Sequence, residues 1–390
     1  MKIGIDKIGF YAPGLYIDMV KLAEARGDDP GKYTVGIGQD EMAVCPITQD
    51  TVTMAANAAL NIIDDEDRKK IDFVIFGTET GIDHSKSAAI YVHRLLGLKS
   101  SARAVETKQA CYGATAAIQL AKGHVALNPD SKVLVLGSDI ARYGLNTSGE
   151  VTQGAGAVAL LISADPKIMT LEQDATFKTD DIMDFWRPVY SDVALVDGKY
   201  SNDKYIEFFS DVWTDYQEKT KREFADFAAI CFHLPYTRMG EKALKPHLSN
   251  MSETVSERLT NNYKISTTYN RLVGNIYTGS LYLSLLSLLE NQENLNAGDR
   301  IGLFSYGSGS VGEFFSGVLE SGFEEHLNTN KHVEMMENRT EVTIGAYEQE
   351  FLKTLPIDGS TLEIDASNDS ADICLVGIKE HMRQYINKQA

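Results

Sequence analysis

Glu106-Thr-Lys-Gln-Ala-Cys111-Tyr-Gly-Ala-Thr-Ala-Ala-Ile118 runs a polar segment into a cysteine and straight on into a stretch of small residues. Ala114, Ala117, Ile118, Ala121 and Val125 fall on one face at helical spacing. Ala116, Leu120 and Gly123 make a second face apolar. A helix apolar on most sides is expected to be buried, and its alanines and glycines let neighbouring backbones come close. Cys111 then stands near the N-terminus of that helix, where the dipole and free N–H groups are expected to stabilise a thiolate and lower its pKa. On this stretch alone the alternative is a buried, inert thiol, the commoner fate of a free cysteine.

On either side of this segment lie short apolar runs. Phe73-Val-Ile-Phe76, Lys132-Val-Leu-Val-Leu-Gly-Ser138 and Gly154-Ala-Gly-Ala-Val-Ala-Leu-Leu-Ile162 read as strands covered on both faces. Residues 1–10 read as a further strand, with Ile3 and Ile5 alternating, and not as a signal peptide. Asp18 can cap a helix over Met19–Arg26 that Gly27 ends, Asp50 can cap one over 51–63, and 85–96 looks helical. Strands alternating with helices argue for an α/β fold. Residues 166–225 are less regular, hold Trp186 and Trp213, and read as an insertion with one helix around 205–220.

The order then repeats. Residues 228–232 form an apolar strand that ends at His233, a buried helix is expected from Asn275, and Arg300-Ile-Gly-Leu-Phe-Ser305 mirrors 132–138. Gly307-Ser-Gly-Ser-Val-Gly echoes Gly154-Ala-Gly-Ala-Val. The reading is an internal duplication. Residues 1–165 form a half carrying Glu79 and Cys111. Residues 166–390 form a half with the insertion near 166–225, carrying His233 and Asn275.

Composition limits the function. Lys and Arg number 37 against 55 Asp and Glu, a formal charge of −18, which argues against nucleic acid and anionic membranes as partners. An anionic substrate would need a local basic patch. Arg238, Lys242 and Lys245 follow His233 near i, i+4, i+7 spacing and offer one, unless they are simply a solvated face. Cys45, Cys111, Cys231 and Cys374 are scattered, with neither CxxC nor Cys/His ligand spacing, so no zinc site, no other metal and no disulfide framework is expected. Free thiols fit a reducing cytosol. Residues 276–289 are too short and too polar to span a bilayer.

Within the duplication, Glu79, Cys111, His233 and Asn275 occupy matched places after strands or at helix starts, where loops collect function at the carboxyl ends of a sheet. Each alone is weak: such a Glu is usually solvated and such a His is usually a satisfied core residue. Together they offer a nucleophile, two acid–base groups and an amide. The glycines around Ser308 let backbone N–H groups approach an oxyanion, or else form a tight turn with no ligand.

Eight ordered motifs carry a resemblance. They are Gly77-Thr-Glu-Thr, Gln109-Ala-Cys-Tyr-Gly-Ala-Thr, Tyr143-Gly-Leu-Asn, Thr152-Gln-Gly-Ala-Gly-Ala, Phe185-Trp-Arg-Pro, Phe232-His-Leu-Pro-Tyr, Gly274-Asn-Ile-Tyr-Thr-Gly-Ser and Ser305-Tyr-Gly-Ser-Gly. Over nearly the whole chain the sequence resembles the 3-hydroxy-3-methylglutaryl-CoA synthases, and its length and lack of a leader resemble the bacterial form. The resemblance implies the thiolase fold, a five-layered αβαβα sandwich of two similar halves, a cytoplasmic homodimer, and the mevalonate route to isoprenoids. It implies acetyl-CoA and acetoacetyl-CoA as substrates and no separate cofactor.

The resemblance also implies roles. Cys111 matches the nucleophile that takes the acetyl group, Glu79 the base for the acetyl methyl, and His233 the residue that holds and protonates the ketone oxygen. Asn275 matches an amide that binds the acetoacetyl group, and the Ser308 N–H an oxyanion donor. Thr152, Ser201, Lys242 and Tyr143 match substrate or product contacts, and Arg238 a contact to the CoA phosphates. A thioester needs a soft nucleophile and a good leaving group, and enolate formation needs a base in a dry site.

Other readings compete. A ketoacyl synthase would not need Glu79, because decarboxylation makes its carbanion. A thiolase would need a second active cysteine, whereas Cys374 stands in the apolar run Asp372-Ile-Cys-Leu-Val. A Cys-His-Asn hydrolase fits the chain order but not the duplication, and a non-catalytic scaffold fits poorly with all three catalytic matches intact. A polyketide branching synthase acting on carrier-bound acyl groups would be expected to weaken the basic patch.

Overall fold

Val133 and Val135 face one side of a strand and Leu134 and Leu136 the other, yet all four are fully buried. The run does not alternate in polarity because the sheet is covered on both sides. The computed structural model describes residues 1–249 and 251–389. The first half contributes β1 (Gly4–Tyr11), β2 (Ile71–Gly77), β3 (Arg103–Thr107), β4 (Lys132–Ala141) and β5 (Gly154–Ser163). They lie in the order β3-β2-β4-β5-β1. The β3, β2 and β4 strands pair in parallel, and β5 is antiparallel to both β4 and β1.

The second half repeats this pattern. Its strands are β6 (Met169–Leu171), β7 (Ala229–Phe232), β8 (Arg300–Gly307) and β9 (Val311–Leu319), in the order β7-β8-β9-β6. Here β7 and β8 are parallel, and β9 is antiparallel to β8 and β6. No strand among the described residues takes the place of β3. The halves meet where β1 pairs with β6, Gly4 opposite Thr170 and Ile5 opposite Met169.

Three apolar layers separate the sheets and helices. The helices concerned are α1 (Thr51–Leu60), α2 (Gly113–Leu127), α3 (Gly198–Thr220), α4 (Arg238–Leu248) and α5 (Ser280–Asn291). In the middle, Ala114, Ala117 and Ala121 of α2 and Leu281 and Leu285 of α5 fill the space between Val158 of β5 and Leu303 of β8. On one outer face Ala55 and Ala59 of α1 meet Val74, Leu134 and Leu161. On the other, Phe209 and Trp213 of α3 and Met239 of α4 meet Phe232, Phe304 and Phe314. Burying each such aromatic ring stabilises the fold by roughly 1.5–3 kcal/mol. The result is a thiolase-like αβαβα sandwich built from two similar halves.

Several expectations change in detail. The α2 helix is not covered all round: Leu120 is 53% and Leu127 84% exposed. The buried helix after Asn275 begins only at Ser280, preceded by the 3-10 turn Tyr277–Gly279. Gly307-Ser-Gly-Ser joins β8 to β9, whereas Gly154 itself opens β5, so the two glycine runs do not hold equivalent places. The Asp50 helix stops at Leu60, and the helix expected over 85–96 is Ala88–Leu95 with Ser87 as its cap. The helix of 205–220 starts earlier, at Gly198, capped by Asp197.

The last strands, β10 (Ile373–Lys379) and β11 (Met382–Asn387), close over the first half. The Asn57 amide on α1 bonds both the N–H and the carbonyl of Ile373, at 3.0 and 2.9 Å. No helix among the described residues is long and apolar enough to cross a membrane.

Candidate active site

The β2 strand ends at Gly77, where a side chain would have its Cβ 2.5 Å from the backbone nitrogen of Ala114. Glycine there lets the start of α2 approach the strand end. Thr78-Glu79-Thr80 then turns over Asp139 of β4. One Asp139 oxygen accepts from the Thr78 hydroxyl at 2.8 Å and from the N–H groups of Glu79 and Thr80 and the Thr80 hydroxyl, each at 2.9 Å. The other accepts from the hydroxyl and N–H of Thr278 at 2.6 and 3.1 Å. This buried carboxylate ties the Glu79 loop of one half to the Asn275 loop of the other.

Cys111 sits just before α2. Ala110 precedes it with a φ of 41°, a left-handed conformation that a residue with a Cβ adopts at some cost. The Cys111 thiol donates to Glu79 Oε1 across 3.3 Å. Burial, then the nearby Asp139 charge, push the Glu79 carboxyl up to about 8, against the opposing pull of Arg187 and the thiol bond. The Arg187 guanidinium also donates to the Glu79 carbonyl. The thiol is raised well above its ordinary value by burial first and then by Glu79. The expected thiolate is therefore corrected: buried and beside Glu79, the resting group is a neutral thiol, and the helix dipole does not outweigh these two effects.

His233 follows β7 directly and is 2% exposed. Its N–H donates to Phe304 at 2.8 Å, its carbonyl accepts from Tyr205 at 2.6 Å, and its Nδ1 is buried without a partner. Burial lowers the imidazole to about 3, so it is neutral near neutral pH. Asn275 Oδ1 accepts from the Tyr277 N–H and the Ser280 hydroxyl, at 2.8 and 2.9 Å, while its Nδ2 is buried and unpaired. Unpaired buried polar atoms are costly. A ligand oxygen would satisfy the Asn275 amide.

Ser308 lies in the β8–β9 turn, its carbonyl accepting from the Gln109 amide at 3.1 Å. Asp184 braces the same turn by accepting from the Gly309 N–H at 2.8 Å, and also from the hydroxyls of Ser201 and Tyr306 at 3.0 Å. Tyr143 stands edge-on to Phe185 and Tyr277, with ring centroids 6.1 and 6.2 Å away, and Cys111 packs against this cluster. The Thr152 hydroxyl donates to Gly149 at 2.9 Å, and the next residue, Gln153, accepts the Asn275 N–H at 3.3 Å.

Arg238 and Lys242 lie on the exposed face of α4 with Lys245. Arg238 pairs with Glu241 at 2.5 Å, and Lys242 donates to the Tyr236 hydroxyl at 3.0 Å. A cleft of about 1260 Å³ opens beside Glu79 and is lined also by Arg142, Arg187 and Lys353.

The structure thus brings Glu79 and Cys111 into contact. Asp139 links Glu79 to the Asn275 loop, and Tyr205, Tyr306 and Asp184 link His233 to the Ser308 turn. Asp139, Asp184 and Arg187 escaped the reading of the sequence. Asp139 closes the apolar run 132–138 as Glu79 follows 73–76, so the rule that selected Glu79 could have selected it too. Asp184 directly precedes the Phe185-Trp-Arg-Pro motif.

Residues 1–167 match the family described as hydroxymethylglutaryl-coenzyme A synthase N terminal, and residues 244–356 match its C terminal counterpart. The chain is 53% identical to the hydroxymethylglutaryl-CoA synthase of Enterococcus faecalis, over 99% of this chain and 100% of that protein. It is 30% identical to the polyketide biosynthesis 3-hydroxy-3-methylglutaryl-ACP synthase PksG of Bacillus subtilis, over 88% of this chain and 87% of that one. A crystal structure of HMG-CoA synthase complexed with CoA superposes with a TM-score of 0.97 at 45% identity, covering 99% of this chain and 100% of the other.

Proposed function

The chain belongs to the hydroxymethylglutaryl-CoA synthase family, and we propose on that premise that it condenses acetyl-CoA with acetoacetyl-CoA and water to 3-hydroxy-3-methylglutaryl-CoA and CoA, in the mevalonate route to isoprenoids. The observation that carries the mechanism is the thiol–carboxylate pair of Cys111 and Glu79.

In the first step the Cys111 sulfur attacks the thioester carbonyl. The thiol proton passes to the departing sulfur, CoA leaves as its thiol, and acetyl-Cys111 remains. The Ser308 N–H stabilises the oxyanion, a contribution of roughly 3–4 kcal/mol for one such donor. Ionised Glu79 then takes a proton from the acetyl methyl. The resulting carbanion adds to the ketone carbon of acetoacetyl-CoA. His233, neutral in its buried setting, donates a hydrogen bond to the ketone oxygen, and Asn275 holds the acetoacetyl group. The proton taken by Glu79 is the one the new tertiary alkoxide needs, so the step balances without a charged imidazole. Water finally cleaves the Cys111 thioester.

Tyr143, Thr152 and Ser201 are assigned to the acyl chain and Arg238 and Lys242 to the CoA phosphates. No separate cofactor enters this scheme. The working form is a homodimer: β3 is an outer strand, and beside it α2 exposes Leu120 and Leu127. Four free thiols suit the cytoplasm.

The alternative is a synthase for carrier-bound acyl groups, as PksG is named; the higher identity to the CoA enzyme and the cationic face of α4 favour CoA. Incubation with acetyl-CoA should leave one acetyl group on Cys111, read by peptide mass spectrometry, and adding acetoacetyl-CoA should remove it with formation of product. An enzyme that never carries the adduct does not work this way.

A further inference from the structure

Glu313 lies on β9, in the second half, and is 2% exposed. A carboxylate in such surroundings is costly unless its oxygens are bonded. One oxygen accepts from the Tyr112 hydroxyl and the other from the Gln119 amide, both at 2.5 Å. Tyr112, which caps α2, and Gln119 within it stand two turns apart on the same side. A single side chain from one half therefore grips the first turns of the helix that follows Cys111 in the other.

The hairpin that carries Glu313 also carries Ser308. Gln109, two residues before Cys111, bonds the Ser308 carbonyl at 3.1 Å. Tyr112, the residue after Cys111, lies so close that a Cβ on Gly307 would fall 2.6 Å from its own Cβ. The nucleophile is thus held on both sides to the β8–β9 hairpin, by Gln109 before it and by Tyr112 with Glu313 after it. We propose that Glu313 is a positioning residue for acyl transfer: through Tyr112 it sets Cys111 against the Ser308 N–H. The inference rests on the acetyl-transfer reading given above, and it assigns no contact between Glu313 and substrate.

The strained Ala110 gives this tie a task. A left-handed residue before the nucleophile persists only where its surroundings over-determine it. Loss of the Glu313 tie would let residues 110–112 relax and Cys111 drift from the oxyanion donor. A misplacement of that kind is expected to slow the step by roughly 10- to 100-fold.

The test is single-turnover acetylation of the full-length protein by acetyl-CoA, quenched and read by mass spectrometry, with melting temperatures measured in parallel. Glu313→Ala and Tyr112→Phe should each lower the maximal acetylation rate by roughly 10-fold or more while the half-saturating acetyl-CoA concentration stays within about 2-fold. The double variant should be no slower than either single one. Glu313→Gln, which keeps one acceptor, should recover most of the rate. Should Glu313→Ala fail to fold, Tyr112→Phe and Glu313→Gln decide. Wild-type acetylation rates in Tyr112→Phe, or an effect confined to the half-saturating concentration, overturn the proposal. Failure of the wild-type protein to acetylate would instead remove the acetyl-transfer reading on which it stands.

Discussion

The Cys111 thiol donates to the Glu79 carboxylate across 3.3 Å, and the two act on each other in opposite senses: the carboxylate raises the thiol, while the thiol bond lowers the carboxyl. Burial, and then the neighbouring carboxylate, keep the sulfur protonated at rest. The same carboxylate, raised to about 8 by its dry surroundings, is a stronger base than an exposed glutamate.

Replacing Glu79 by Gln separates these two effects. The nearby negative charge that raises the thiol is lost, so Cys111 should react faster with iodoacetamide at neutral pH. Condensation should fall by about 100- to 10,000-fold for want of a base. Acetylation should survive, seen as the Cys111 adduct. A variant that condenses at the normal rate would show that Glu79 is not the base.

Proton abstraction from the bound acetyl group should follow the ionisation of Glu79. Below about pH 8 the exchange of methyl hydrogens for deuterium in acetyl-Cys111 should slow by about tenfold per pH unit. Acetylation also removes the thiol bond that lowers the carboxyl, so the midpoint should not fall below that of the free enzyme. Mass spectrometry of the adduct formed in heavy water measures this directly. An exchange rate already level between about pH 6 and about pH 8 contradicts the assignment of Glu79 as a base of raised pKa.

The fold was legible where burial leaves a one-dimensional trace. Strands covered on both faces become unbroken apolar runs, so 73–76, 132–138 and 154–162 stand out, and Asp18 and Asp50 cap the helices their spacing implies. The site was legible only where a motif sits on one segment. Asp139 collects donors from 78–80 and from Thr278, and no single stretch records that meeting. The exposed side of α2 was hidden for the converse reason: Leu120 and Leu127 look like core residues, and only the packing of the fold shows that the chain leaves them uncovered. The thiol's state depended on burial and on a neighbour 32 positions away in sequence, neither of which helix-end reasoning can supply.

His233 should make the protein acid-sensitive. Its folded value, lowered to about 3 from an ordinary 6.5, means that the unfolded chain takes up a proton below 6.5 while the folded chain does not. Stability should therefore fall as pH drops through that window, by about 1.4 kcal/mol per pH unit from this group. His233→Asn removes the titration. Urea midpoints for the two proteins should converge, or cross, as pH falls from about 7 to about 5. A difference that stays constant over that range would mean His233 is not held neutral in the fold.

The α4 face can be tested with substrates that differ only in their phosphates. Arg238, Lys242 and Lys245 are exposed cations that follow His233 in sequence on a chain of net charge −18, so they are a local basic face that the phosphates of a CoA substrate would find. An exposed ion pair contributes only about 0.2–1 kcal/mol, so each truncation should raise KM by a few-fold at most. Lys242→Ala should do so with kcat unchanged, and Arg238→Ala with Lys242→Ala should raise KM for acetoacetyl-CoA by roughly 5- to 20-fold. The effect should shrink as salt is added, because the pairs are screened. Acetoacetyl-pantetheine lacks the phosphates and should lose nothing in the double variant. Among the described residues Lys242 bonds the Tyr236 hydroxyl, at 3.0 Å, and Arg238 pairs with the neighbouring Glu241, so the truncations leave the core intact. An equal rise in KM for the phosphate-free substrate would assign the loss to the shape of α4 rather than to its charge. It would also reopen the carrier-protein reading, for which that cationic face is not required.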